Sequence, residues 1–290
     1  MLYRKFLSTG EKISVLGFGG IVVKDESVND VKRYVSYAYD SGVNYFDVAP
    51  AYGNAEKKLG PALAPFRKNV FLACKTGKRT YKEAQKEFQN SLHNMKTDYF
   101  DLYQMHSVST EEDFENIIHK DGVLNFLVEM KEKGYIRNIG FSAHSSKVGI
   151  KLLDYFNFDS ILFPLNFTTW YQGGFGSELL NKAIETNTTR LALKPGASNA
   201  LSHSTINCKP SNDVVRVREK CWYAPIEDDE IINIAYKWAL SQPITSVLPP
   251  GEFDLWKKAL KAINNYEPIE DYEIDKLKNF SENKLPLFTV

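Results

Sequence analysis

The sequence predicts an α/β fold: a single (β/α)8 barrel that takes in residues 1–290 as one domain. Three observations predict it. Short apolar runs alternate with amphipathic stretches of helical period, the alternation repeats eight times, and no Pro-, Gly- or Ser-rich linker divides the chain. Strands alternating with helices form a parallel sheet covered by helices, and eight units in 290 residues favour closure into a barrel over an open sheet.

The eight predicted units follow one another along the chain. In the first half, strands at residues 15–20, 44–49, 69–76 and 99–107 are followed by helices at 26–42, 54–63, 81–95 and 121–134. In the second half, strands at 136–145, 160–167, 190–197 and 244–251 are followed by helices at 147–156, 177–187, 228–242 and 253–264. The LGFGG run at 16–20 gives no support to a dinucleotide-binding open sheet, because GxGxxG spacing would need glycine where Val22 stands.

Composition and charge indicate a protein whose partners are small molecules. Lys plus Arg and Asp plus Glu both total 36, so no net charge favours nucleic acid or an anionic membrane. The first residues contain no unbroken apolar stretch, and no run approaches the ~18 apolar residues that span a bilayer, so we expect a cytoplasmic location. Cys74, Cys208 and Cys221 lack CxxC spacing, so we expect reduced thiols and no metal site. The oligomeric state is left open.

Four polar residues stand at or just after the ends of predicted strands. Asp47 ends the second strand and Tyr52 follows it, Lys75 ends the third, and His106 ends the fourth. Singly, each has a structural alternative: a helix cap, a loop aromatic, a solvated lysine or a buried, hydrogen-bonded histidine. The carboxyl ends of barrel strands meet at one mouth, where barrel enzymes hold their active sites. We therefore predict that the four form a catalytic group.

These residue types suit the transfer of a hydride between a carbonyl and an alcohol. Carbonyl reduction needs a proton donor at oxygen, and the Tyr52 hydroxyl fills that role. We expect the Lys75 ammonium to lower the tyrosine pKa from its ordinary value of about 10. Asp47 would stabilise the buried lysine, and His106 would orient the substrate oxygen through a hydrogen bond.

Two long predicted loops follow the sixth and seventh strands, at residues 167–176 and 196–227. Their aromatic side chains are candidates to line a substrate pocket. The candidates for substrate binding are Trp170, Tyr171 and Trp222, with Phe175 and Tyr223 beside them. The alternative, that these rings only attach a loop to the barrel, remains open.

Over nearly its whole length the chain resembles the aldo-keto reductase family. The segments FLSTGEKISVLGFGG, FDVAPAYGNAEKKLG, VFLACKTG, SLHNMKTDYFDLYQMHS and GYIRNIGFSAHS match family motifs in order and at compatible spacing. They carry the residues that correspond to the family's catalytic Asp47, Tyr52, Lys75 and His106. The resemblance implies an NAD(P)-dependent oxidoreductase that acts on a small carbonyl or alcohol, such as an aldehyde, a ketone or a sugar-like compound.

The resemblance also implies where the cofactor lies. Ser142 and Asn166 would contact the nicotinamide amide, and Lys194 and Gly196 the pyrophosphate; structurally, Ser142 could instead cap a helix, Asn166 order a turn and Gly196 permit a bend. The further cofactor positions that it indicates are Gly20, Asp47, His144, Gly251 and Glu252. The resemblance slightly favours NADP(H) over NAD(H). The charges nearby leave the preference open, because Glu252 would repel a 2'-phosphate, whereas Lys257 and Lys258 would attract one.

The chain departs from the family pattern in the nicotinamide pocket. Leu162 stands where relatives have glutamine, and Leu193 where many have a stacking aromatic, so Trp170 or Tyr171 is expected to pack on the nicotinamide instead. The charged segment after Asn265 is expected to form a last helix and leave the pocket open.

Two other functions compete with the oxidoreductase. A nicotinamide-binding regulatory or redox-sensing subunit without significant turnover would not need Tyr52. A barrel lyase or isomerase would need a metal cluster or a phosphate cradle that the sequence lacks.

Overall fold

The structure is a computed structural model that describes residues 1–207, 216 and 218–290. Its strands are β1 (Tyr3–Lys5), β2 (Lys12–Ser14), β3 (Gly17–Gly19), β4 (Tyr45–Asp47), β5 (Phe71–Thr76), β6 (Phe100–Val108), β7 (Ile136–Ala143), β8 (Ser160–Pro164), β9 (Thr189–Leu193), β10 (Ala197–Asn199), β11 (Ala224–Pro225) and β12 (Ser246–Leu248). Strands β3 to β9 and β12 pair in parallel and in chain order. We call them the first to eighth barrel strands.

The eight barrel strands close on themselves. A parallel bridge joins Leu16, beside the first strand, to Val247 in the eighth, and the Val247 N–H donates to the Val15 carbonyl at 2.8 Å. The predicted (β/α)8 barrel is therefore confirmed, and each predicted strand overlaps an observed one.

The helices lie outside the strands. They are α1 (Val28–Asp40), α2 (Ala55–Leu63), α3 (Tyr81–Met95), α4 (Glu111–Ile118), α5 (Val123–Glu132), α6 (Ser146–Tyr155), α7 (Phe167–Gly173), α8 (Ser177–Glu185), α9 (Asp229–Ser241), α10 (Phe253–Asn264) and α11 (Asp271–Ser281). Helix α1 shows why they form: the Ser27 side chain accepts from the Asp30 N–H at its start, and Val31, Val35 and Ala38 bury one face. None of the helices of the described residues is long and apolar enough to cross a membrane.

Among the described residues, a hairpin closes the barrel at the amino-terminal end of its strands. The hairpin β1–β2 covers the amino-terminal end, where Phe6 and Ile13 join the apolar cluster inside the barrel and the Phe6 ring lies 5.0 Å from that of Phe71. The carboxyl-terminal end of the strands therefore holds the accessible cavity.

Two expectations about the loops are wrong. Residues 167–176, predicted as a loop, contain helix α7, because the Asn166 side chain accepts from the Thr169 N–H and caps a helical turn. The chain end does form the predicted last helix, α11, but the residues after it return across the mouth instead of leaving it open. The Asn207 N–H donates to the Leu287 carbonyl at 2.7 Å, and the Phe288 ring is 1% exposed.

Candidate active site

The structure brings the four predicted catalytic residues to the open end of the barrel. Asp47 ends the second barrel strand, and Lys75 and His106 lie near the ends of the third and fourth. Tyr52 ends a short 3-10 turn that begins at Pro50. All four line one cavity of about 680 Å³, a volume ordinary for a small-molecule site.

Asp47 and Lys75 form an ion pair inside the barrel, and both side chains are almost completely buried. Burial raises the pKa of Asp47, while the Lys75 ammonium acts against that rise. Burial alone would lower the pKa of Lys75, but the Asp47 carboxylate raises it above its ordinary value. The second carboxylate oxygen accepts from Gln104 Nε2 at 3.2 Å, so the pair is held from two sides.

The Tyr52 hydroxyl lies 3.5 Å from Lys75 Nζ. As expected, the Lys75 ammonium lowers the pKa of Tyr52, but it does not bring that pKa below its ordinary value. Burial raises the pKa of Tyr52 by more than the ammonium lowers it, and the Asp47 charge adds to the rise. Tyr52 is therefore a protonated phenol at neutral pH, with a proton to donate.

His106 is held neutral. Burial, together with the positive charges of Lys75, Lys194 and Arg79, lowers its pKa to about 3. Its ring meets that of Tyr52 edge-on at 5.7 Å, and Arg79 Nη2 donates to its backbone carbonyl at 2.8 Å. A neutral imidazole carries one N–H, which can donate to a substrate oxygen beside the tyrosine.

The other predicted residues divide into two groups. Those that line the cavity are Ser142, His144, Lys194, Trp222 and Gly251. The predicted residues that do not line the cavity are Gly20, Asn166, Gly196 and Glu252. The second group lies behind the wall: the Gly196 carbonyl accepts from Ile226 N–H, and the Glu252 carboxylate accepts from Lys220 N–H at 2.9 Å.

Trp170 and Tyr171 do not reach the cavity, which corrects their prediction as substrate-binding residues. Helix α7 directs them toward α9, where the Trp170 ring meets Trp238 at 5.7 Å and the Tyr171 hydroxyl accepts from Trp238 Nε1 at 3.1 Å. Leu162 and Leu193 line the wall where either ring was expected to pack.

Three residues that the sequence reasoning missed contribute to the site. Gln104 hydrogen-bonds Asp47, and Arg79 and Phe288 line the cavity. Gln104 precedes His106 by two positions in the same strand, so strand periodicity would have placed both on one face. Phe288 carries no such local signal, because its place depends on contacts with residues far away in the chain.

No group of three or more His, Cys, Asp or Glu side chains within the described ranges could hold a metal ion. Cys74 and Cys221 are free and buried, and Cys208 lies outside the described residues.

The fold and the site define a (β/α)8-barrel protein with a small-molecule cavity at the carboxyl ends of its strands. A model of the aldo/keto reductase family matches residues 15–282. The chain belongs to the aldo-keto reductase family, whose members use nicotinamide cofactors.

Similar proteins include the uncharacterized oxidoreductase YqkF of Bacillus subtilis, 31% identical over 157 residues and 49% of each chain. L-galactose dehydrogenase of Arabidopsis thaliana is 29% identical over 168 residues, which is 51% of this chain and 50% of that protein. The chain thus spans about half the length of the curated relatives it matches. The holo form of the aldo-keto reductase AKR11C1 from Bacillus halodurans shares the fold, with a TM-score of 0.73 at 20% identity and 98% coverage of both chains.

The cavity wall fits a nicotinamide. Asn166 does not line the cavity, and its buried Nδ2 group has no hydrogen-bond partner among the described residues. The Ser142 hydroxyl accepts from the Ser107 N–H at 2.7 Å, and Ser142 lines the cavity near the end of the fifth barrel strand. Leu162 and Leu193 add apolar surface suited to a flat ring.

Proposed function

We propose that the protein is an NAD(P)-dependent oxidoreductase that transfers a hydride between nicotinamide and a carbonyl or alcohol. The observation that carries the proposal is the phenol of Tyr52, which lies 3.5 Å from the Lys75 ammonium and beside a neutral His106 in one cavity. Asp47, Tyr52, Lys75 and His106 are the proposed catalytic group. The substrate class is an aldehyde, a ketone or a sugar-like compound, and the likeness to an L-galactose dehydrogenase supports the last of these.

Each residue has a separate task in the proposed mechanism. The nicotinamide, when bound, supplies or accepts the hydride. The His106 N–H and the Tyr52 hydroxyl donate hydrogen bonds to the substrate oxygen and so orient it. During reduction the Tyr52 proton passes to that oxygen, and the Lys75 ammonium stabilises the phenolate left behind. Asp47 keeps Lys75 charged inside the barrel.

We propose that Ser142 and Asn166 hold the amide of the nicotinamide, and that Gly196 and His144 contact the cofactor further out. Gly20, Gly251 and Glu252 would lie at its adenosine side. NADP(H) remains slightly favoured over NAD(H), because Arg216 and Lys220 line the cavity together with Gly251. Lys258 bonds to Asp229 at 2.7 Å instead of facing the cavity.

The proposal is tested by titrating the protein with NADPH and NADH, followed by a turnover panel of aldehydes, ketones and sugars. Failure to bind either cofactor would overturn the proposed function. Binding without turnover of any compound would favour the regulatory alternative.

The Glu252→Arg variant should tighten NADP+ binding relative to NAD+ by about tenfold, because a like charge is replaced by a guanidinium that can hold a phosphate with two hydrogen bonds. The ratio of the two dissociation constants, from fluorescence titration, measures the effect. Glu252→Gln is the matched control and should give a smaller shift in the same direction. An unchanged ratio in both variants would mean that residue 252 lies away from the 2' position.

The pH dependence of turnover should follow the state of Tyr52. Its raised pKa keeps the phenol protonated, and His106, with a pKa of about 3, stays neutral, so kcat for reduction of a neutral aldehyde should be flat from about pH 6 to about pH 9. Oxidation needs the phenolate, so kcat in that direction should rise with pH over the same range. A reduction rate that falls steeply between about pH 7 and about pH 8 would contradict this assignment.

A further inference from the structure

Lys194 occupies an unusual place in the cavity wall. It follows the seventh barrel strand directly, with a backbone φ of +65°, a left-handed conformation that is uncommon for a residue with a side chain. The Lys194 N–H donates to the Leu248 carbonyl of the eighth strand at 3.2 Å, and its carbonyl accepts from the Ala197 N–H at 3.0 Å. These bonds fix the backbone so that the side chain lies along the cavity.

Two aromatic rings surround the Lys194 ammonium. Nζ lies 5.3 Å from the centre of the Trp222 ring and 5.4 Å from that of Phe288. The Phe288 ring in turn lies 5.1 Å from that of His144. Aromatic faces attract a cation, but they carry no net charge and do not neutralise it.

Lys194 has no oxygen partner of its own within residues 1–207, 216 and 218–290: its ammonium makes neither an ion pair nor a hydrogen bond there. Each of the other cationic side chains that line the cavity has an oxygen partner. These pairs are Lys75 with Asp47, Arg79 with Asp113, Lys220 with Glu26, Lys24 with Asp25, and Arg216 with the Glu219 carbonyl.

The missing partner has an electrostatic cost. Burial, with a further contribution from the Lys75 charge, lowers the pKa of Lys194 to about 7. Lys194 is partly buried and lines the cavity, and such a cation is stabilised when an anion pairs with it. Since the described chain supplies none, the ligand is the natural source.

The position of Lys194 favours the substrate end of the cavity. Its ammonium and the His144 ring both contact the Phe288 ring, and Lys194, His144 and His106 line the same cavity. The charge of Lys194 also contributes to the lowered pKa of His106. The ammonium therefore shares the cavity with the groups that would surround the reacting carbonyl. A single ammonium between two rings matches the one charge of a carboxylate, whereas a pyrophosphate carries two charges, one on each phosphate group.

We propose that the Lys194 ammonium binds a carboxylate on the substrate, so that the protein acts on carbonyl compounds that also carry a carboxylate near the carbonyl. This inference rests on the proposed oxidoreductase function and names its substrate class. An anionic oxygen could also come from the cofactor's pyrophosphate, the contact that the family resemblance suggests for Lys194, and the experiment separates the two sources.

The first test uses matched pairs of aldehydes: glyoxylate, succinic semialdehyde and 4-carboxybenzaldehyde, each against its neutral amide. In the parent protein at least one acid should exceed its amide in kcat/KM by about tenfold or more. In Lys194→Met the preference should disappear while the affinity for the cofactor changes by less than about threefold. Lys68→Met, which removes an exposed lysine far from the cavity, is the matched control and should keep the preference.

Turnover of the neutral amides tests the proposed function separately from this inference. Binding of benzoate against benzamide to the cofactor-saturated protein, by calorimetry, tests the inference without turnover. Equal binding of the two, or equal kcat/KM within every aldehyde pair, would overturn it. Loss of cofactor affinity in Lys194→Met with an unchanged acid preference would also overturn it and assign the ammonium to the cofactor's phosphates.

Discussion

Tyr52→Phe should lower kcat by at least about a hundredfold, the lower range for loss of a general acid. The substitution removes the hydroxyl that lies 3.5 Å from Lys75 Nζ and keeps the ring that packs against His106. Cofactor affinity should therefore stay nearly constant, and the free energy of unfolding should change by no more than about 1 kcal/mol. Steady-state kinetics, a cofactor titration and urea unfolding on the same preparation measure the three quantities.

Tyr171→Phe is the matched control, because it removes a tyrosine hydroxyl outside the cavity. Its hydroxyl accepts only from Trp238 Nε1 among the contacts of the described chain, so the variant should keep the turnover of the parent. If the Tyr52→Phe protein retains near-normal turnover, the proposed mechanism is wrong. If both variants lose activity equally, the loss reflects stability and not proton transfer.

The sequence predicted the barrel and the positions of its four central residues because both depend on local patterns. Strand and helix periods are visible within ten to twenty residues, and Asp47, Lys75 and His106 stand at or near strand ends. Parallel strands in a barrel point their carboxyl ends the same way, so three separate segments are brought together by topology alone.

The roof of the cavity was not predictable in this way. Phe288 is placed by backbone bonds such as that from the Asn207 N–H to the Leu287 carbonyl, and the Asn207 side chain also bonds to Thr289. These contacts join segments about 80 residues apart, and neither segment shows a periodic pattern. From the sequence, the charged segment after Asn265 predicted a last helix and an open pocket, and no local pattern indicated that the residues after that helix reach the cavity.

The sign of the Tyr52 pKa shift also required the structure. The sequence places a cation near the phenol, which would lower its pKa, but it does not reveal how much water the phenolate loses. In the folded protein burial has the larger effect, and Asp47 adds to it.

The wrong prediction for helix α7 has another cause. Asn166 is a residue type that caps helices, and its side chain accepts from the Thr169 N–H, but the aromatic residues after it were interpreted as the lining of a pocket.

Lys75→Met should abolish most turnover and also destabilise the fold, which separates it from Tyr52→Phe. The methionine fills much of the space but leaves the Asp47 carboxylate buried without its ammonium, and breaking a buried pair in this way costs about 3–5 kcal/mol. The phenolate of Tyr52 would also lose its stabilising charge, so kcat should fall by about a hundredfold or more. Urea unfolding and steady-state kinetics measure the two losses.

The pH dependence of the stability of Lys75→Met should identify the Asp47 carboxylate as the cause of the destabilisation. Without Lys75, burial should raise the folded-state pKa of Asp47 further above its unfolded value of about 3.9. A group with a raised folded pKa stabilises the fold while it is protonated and loses that contribution as the pH rises through that pKa. The free energy of unfolding of Lys75→Met, relative to the parent, should therefore begin to fall above about pH 4 and go on falling until the pH passes the raised pKa of Asp47. In Asp47→Asn/Lys75→Met the amide cannot ionise but can still accept from Gln104, so this pH dependence should disappear and part of the lost stability should return. Equal, pH-independent losses in both variants would show that packing, and not the unpaired charge of Asp47, destabilises the barrel.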